Sequence, residues 1–212
     1  MRVHPRPSTL IRRMATAVVA FAAVLATLGS TALAAPPIVR DHIASSGAAA
    51  GSNVCVGSVC TATAVFAIVD TNGNRQACLD ITHYDSAGFI PLDYETGCAP
   101  LAEDAFSIDT KGLANAALSS TDVTLQAFTC DATGCVPTGA TRVAHVSATY
   151  TGVGVVDTFR ANSKSTFGGC TMYFVGKGSS RQATASLVID GRSLDALGSL
   201  FTSAQKIKVI CH

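Results

Sequence analysis

CTATAVFAIVDTNGNRQACLDITHY, residues 60–84, is the stretch on which the fold turns. Its first part, Cys60 to Asp70, is apolar on both faces by its centre, as a buried strand is. Asn72-Gly73 inside Thr71 to Asn74 is a hairpin signal, because both residues accept the positive φ that a tight turn needs. From Gln76 to Tyr84 the chain alternates: Ala77, Leu79 and Ile81 point one way, and Asp80, Thr82 and Tyr84 the other. A helix cannot sort residues with a period of two, so the stretch reads as strand, turn and strand.

The same reading extends outward. Thr121–Cys130 sets Val123, Leu125 and Ala127 against Asp122, Thr124 and Gln126. Arg142–Tyr150 puts Ala144, Val146, Ala148 and Tyr150 on one face. Gln182–Asp190 does the same with Ala183, Ala185, Leu187 and Ile189, and Asp190-Gly191 makes a turn. Shorter strands are expected at 105–109, 170–175 and 206–211. Ser193–Phe201 carries Leu194, Leu197 and Leu200 at helical spacing, which predicts a turn or two of helix. Asp85–Ala102, with Pro91, Gly97 and Pro100, reads as irregular. Eight or nine short strands with turns between them predict an all-β antiparallel sandwich or barrel. Of the two, a broadly immunoglobulin-like β-sandwich is the expectation.

Residues 1–34 have the three parts of a signal peptide. Arg2, Arg6, Arg12 and Arg13 are basic, Met14–Leu28 is apolar, and Ala32-Leu33-Ala34 is a small-large-small cleavage site. Cleavage is expected before Ala35. The apolar run, about 15 residues, is short of the roughly 20 that span a bilayer. Arg12-Arg13 leaves a twin-arginine route open beside the general one. Residues 35–54, opening on Ala35-Pro36-Pro37 and rich in Gly, Ala and Ser, read as a flexible lead-in. Residues 55–212 then form a single domain. No second apolar run follows, so the mature chain is expected to be secreted, with no membrane span.

The 212-residue chain carries 15 basic and 14 acidic residues. Loss of the leader removes four arginines and no acid, leaving 11 against 14, a net of −3. No basic stripe is visible along the chain, which argues against nucleic acid as a partner.

All eight cysteines, Cys55, Cys60, Cys78, Cys98, Cys130, Cys135, Cys170 and Cys211, follow the leader. An even count in an exported domain predicts disulfides. Cys55–Cys60 and Cys130–Cys135 each flank a four-residue loop, and facing positions of a hairpin are within disulfide reach. Chain order pairs the rest as Cys78–Cys98 and Cys170–Cys211. A zinc site is disfavoured by the oxidising compartment.

No catalytic, cofactor or metal residue can be assigned. His42 falls in the lead-in, His212 is terminal, His145 faces outward and His83 ends an apolar row. Asp70, Asn72 and Asn74 hint at calcium, but an EF-hand needs Gly and Glu where Arg75 and Ile81 stand. Asp93, Glu95, Glu103 and Asp104 read as a solvated acidic loop around Cys98. Gly152, Gly154, Gly168 and Gly169 read as bulges or turns, since no phosphate-loop Lys follows them.

Ala148-Thr-Tyr-Thr-Gly-Val-Gly154, Gly169-Cys170, Gly178-Ser-Ser-Arg-Gln-Ala-Thr-Ala185, Asp190-Gly191 and Cys211 carry a resemblance. Over residues 148–211 the chain resembles a group of secreted bacterial β-sandwich proteins of uncharacterised function. It departs from the group in having Tyr150 where Trp is common. The resemblance implies a β-sandwich and an extracellular bacterial setting, and no activity. The expected function is a non-enzymatic extracellular module that binds a protein, a glycan or a surface. The alternatives are a secreted hydrolase with an unrecognised site and an inhibitor presenting a disulfide-braced loop.

Overall fold

A computed structural model describes residues 38–131 and 133–211. The signal peptide expected at residues 1–34 and its expected cleavage point lie outside the described residues, as does His212. The described chain is all β: β1 Ile38–Val56, β2 Val59–Asp70, β3 Arg75–Asp85, β4 Ile90–Pro100, β5 Phe106–Ile108, β6 Asn115–Asp131, β7 Gly134–Phe167, β8 Cys170–Ile189 and β9 Arg192–Cys211. Among the described residues no helix is long and apolar enough to cross a membrane.

The β2–β3 hairpin forms as its sequence dictates. The Asp70 carboxylate accepts the N–H groups of Asn72 and Asn74 at 2.8 and 2.9 Å, and Gly73 takes a φ of +80°. That carboxylate is thereby engaged in holding the turn.

All nine strands belong to one antiparallel sheet in the order β4-β3-β2-β1-β9-β8-β7-β6-β5. The sheet also returns on itself, because Asp93–Thr96 of β4 pairs with Gln126–Thr129 of β6. Eight strands therefore form a ring, with β5 branching from the start of β6. This corrects the expectation of a β-sandwich, whose two sheets would each have free edges. Strand periodicity specifies an inner and an outer face but not whether the last strand meets the first.

The inner face is filled. Ala48, Val65, Leu79, Val123, Leu125, Val146, Leu187 and Leu200 are all within 1% of full burial. An eight-stranded barrel is just wide enough for side chains to fill it, and alternating small and large residues make the layers fit. One end is closed by the segment between β5 and β6, where Leu113 is fully buried and the Arg181 guanidinium donates to the Gly112 carbonyl.

Three further expectations are corrected. Residues 38–54 are not a flexible lead-in: they are most of β1, paired with β2 and β9. Their small residues are demanded by packing, since a Cβ on Gly47 would sit 2.6 Å from the Ala67 carbonyl and 2.7 Å from the Phe201 ring. Ser193–Phe201 is strand, not helix. Leu194, Ala196 and Leu200 follow the inner face, whereas Leu197 is 66% exposed, so the leucine spacing was not a helical stripe. The irregular stretch from Asp85 to Ala102 contains β4, with Pro91 and Pro100 at its ends, where a strand tolerates a missing donor.

The disulfides join Cys55–Cys60, Cys78–Cys98, Cys130–Cys135 and Cys170–Cys211. Each pair occupies directly opposite positions of neighbouring strands. Cross-strand pairing thus brings every bond to its partner without bending the backbone.

Candidate functional site

The end of the barrel opposite Leu113 is open. Its cavity of about 560 Å³ is lined by Ser52 and Val54 of β1, Thr61 and Thr63 of β2, Ile81 and His83 of β3, and Glu95 of β4. Arg142 of β7, Ile189 and Asp190 at the end of β8, and Arg192 and Leu194 of β9 complete it. Most continue the inward phase of a strand past the packed core. The chain switches there from Ala, Val and Leu to polar residues while keeping the same face.

Two polar groupings organise the rim. Register puts Val54, Thr61, His83 and Asp93 side by side across β1 to β4. His83 Nδ1 meets Asp93 Oδ1 at 2.5 Å, so the carboxylate orients the ring and leaves Nε2 for other partners. Among the described residues no hydrogen bond joins His83 to Thr61.

The second grouping centres on Arg142. Its Nε and Nη2 donate to Glu95 Oε2 at 2.9 and 2.7 Å, and its Nη1 donates to Asp190 Oδ2 at 2.9 Å. The Glu95 carboxylate, above all, holds the guanidinium proton more tightly than usual. Asp190 also accepts the His145 backbone N–H at 2.9 Å, and that bond, followed by Arg142, keeps its carboxyl below the ordinary carboxylate range. Glu95 and Arg142 stand on β4 and β7, so this pair straddles β6 beside the line where the barrel closes. Arg192 makes no ion pair among the described residues, which leaves a rim cation unengaged.

The acidic stretch is split by the fold. Asp93 and Glu95 stand in β4, correcting the reading of them as a loop; Glu95 lines the cavity while the Asp93 side chain remains half exposed at the rim, and Glu103 and Asp104 stay in an exposed turn. His145 bonds Asp122 on the outer wall, and His42 is exposed on β1. Gly152 and Gly154 lie at the β7 bulge and Gly168 and Gly169 in the β7–β8 turn. Arg142 and Arg192 were missed as site residues. The signal was there: each stands in phase with an apolar face, Arg142 before Ala144-x-Val146 and Arg192 before Leu194-x-Ala196.

What this arrangement offers is a half-polar cup, with Val54, Ile81, Ile189 and Leu194 as its apolar wall. It fits a small molecule that has both an apolar and a polar end. No protein-family model, no curated protein and no solved structure matches this chain.

Proposed function

We propose that this protein is a secreted, non-enzymatic binding protein that takes a small amphiphilic molecule in the open end of its barrel. The observation that carries the reading is the cavity of about 560 Å³, large enough for such a ligand and lined by both apolar and polar side chains. The apolar part rests on Val54, Ile81, Ile189 and Leu194. The polar part meets Arg192 and His83, with an anionic group favoured at Arg192. A signal-peptide pattern and four disulfides support an extracellular setting, since such bonds persist in oxidising compartments.

Fluorescence titration with 8-anilinonaphthalene-1-sulfonate tests the proposal, because that probe joins apolar rings to an anion. Arg192→Glu and Leu194→Trp should each weaken its binding at least tenfold while leaving the circular dichroism of the sheet unchanged. Equal affinity in both variants and the parent would refute the assignment to the barrel mouth.

A second reading, a hydrolase, is favoured by the row Thr61, His83 and Asp93, which has the residue types of a nucleophile, a base and its orienting acid. The missing Thr61–His83 hydrogen bond ranks it second. Ester hydrolysis that His83→Ala abolishes would reverse that order.

A further inference from the structure

Beyond the barrel, four strands run on together as a single-layer sheet. It is built from β7 157–167, β8 170–180, β9 203–211 and the start of β1. Directly paired residues share a face, so the register sorts every side chain. One face gathers Phe159, Phe167, Met172, Phe174, Ile207 and Val209, with Asp157 at its barrel end and Asp41 beside Ile207 on its β1 edge. The other gathers Arg160, Lys164, Lys177, Lys206 and Lys208.

The cationic face contains no Asp or Glu among the described residues, and none of its five cations forms an ion pair there. Arg160 and Lys177 are directly opposite each other, an arrangement that destabilises a sheet unless an anion sits between them. They line a shallow cavity of about 250 Å³ with Asn162 and Val175. Lys164 lies 5.6 Å from the Tyr173 ring centre on the same face. Read along the chain these cations are scattered, and the sequence shows no basic stripe. Antiparallel pairing assembles one, in a mature chain whose expected net charge is negative.

The apolar face is as unusual. Among the described residues no other element packs over it: Phe159 is 43%, Met172 41% and Phe167, the last residue of β7 beside the tip, 90% exposed, while Phe174, Ile207 and Val209 are half-buried by their neighbours. A polyanion in solution would account for the cations alone, and a second copy of the chain for the apolar face alone. An anionic bilayer accounts for both. A helix with one apolar and one basic face lies in the interface with its apolar side buried about 5–10 Å into the headgroup–acyl boundary, and a sheet with the same two faces meets the same balance of forces. Side chains on the two faces of one sheet span about 10 Å, which puts the lysines level with the lipid phosphates. The geometry points to this extension as a peripheral docking surface for anionic phospholipid membranes, with Phe167 as its inserting tip.

The chain has no tryptophan, so Phe167→Trp creates a single reporter. Its emission should shift to the blue on adding phosphatidylcholine–phosphatidylglycerol vesicles and stay unchanged with phosphatidylcholine alone. In co-sedimentation, Lys206→Ala with Lys208→Ala should weaken binding to the anionic vesicles roughly thirtyfold, at about fivefold per cation. Phe167→Ser should weaken it about tenfold or more. Urea midpoints of the variants, matched to the parent, show that each still folds. Three results would each overturn the proposal: no binding to either vesicle, binding that Phe167→Ser leaves unchanged, or a stable dimer in analytical ultracentrifugation that binds neither vesicle.

Discussion

Gly97→Ala tests the closure of the barrel. Gly97 faces inward on β4, one residue beyond the four pairs that join β4 to β6. A Cβ there would stand 2.0 Å from the Thr124 carbonyl oxygen and 2.9 Å from its carbon. Relief from 2.0 Å to the 3.4 Å at which ordinary contacts begin needs a retreat of 1.4 Å by one backbone from the other. A hydrogen bond stretched by that much is lost, and the junction has only four residue pairs, hence about four such bonds, to hold it. Losing two to four of them at about 1 kcal/mol each costs about 2–4 kcal/mol. The narrower unfolded ensemble of Ala returns about 0.4–1 kcal/mol. The net expectation is a loss of about 2–3 kcal/mol, or about 5–10 °C in Tm for a domain of this size. Urea unfolding of the oxidised protein measures it. Gly51→Ala is the control, since its nearest neighbour is the Thr63 carbonyl at 3.3 Å. If Gly97→Ala unfolds at the parental midpoint, Thr124 does not press on Gly97 and the ring is open.

Other outcomes follow from the same geometry. Leu79→Ala, at a fully buried position, should cost about 2–5 kcal/mol in urea unfolding, whereas Leu197→Ala should change stability by less than about 0.5 kcal/mol. Equal effects would mean that the phase of β9 is wrong. Replacing Cys170 and Cys211 by Ser opens a loop with a sequence separation of 41 and should cost about 4 kcal/mol on chain entropy, with amide exchange rising first in 170–180 and 203–211. Uniform loss of protection across the barrel would contradict a staple local to the extension. Backbone or side-chain hydrogen bonds hold Asp70, Asp109, Asp131 and Asp190 below the ordinary carboxylate value of 3.8. The unfolded chain therefore takes up protons before the folded one as pH falls. Stability should be level above about pH 5 and decline below about pH 4. A urea midpoint that rises between pH 4 and pH 2 would reverse this sign.

Local features were legible wherever chemistry acts between near neighbours in the chain. Asn72-Gly73 specified a turn, and the alternation from Gln76 to Ile81 specified which side chains are buried. The hairpin loops specified the Cys55–Cys60 and Cys130–Cys135 pairs. Composition misled where it stands in for packing. The Gly- and Ala-rich run from Gly47 to Gly51 resembles a linker, but its small side chains are what a strand facing the Phe201 ring and the Ala67 backbone requires. At 194, 197 and 200 three leucines match a helix, while burial follows a period of two because β8 and β1 pair with that strand from both sides.

The sequence by itself determined that this chain makes antiparallel hairpins, which residues share a strand face, and which cysteines meet across the two short loops at 55–60 and 130–135. Those are consequences of backbone geometry over a few residues. The tertiary structure alone decided that the sheet closes, that Glu95 meets Arg142 across β6, and that Arg160, Lys164, Lys177, Lys206 and Lys208 form one cationic face. Each depends on strand neighbours and register between segments far apart in the chain. No local preference encodes these, because they are settled only when the whole apolar face is buried at once.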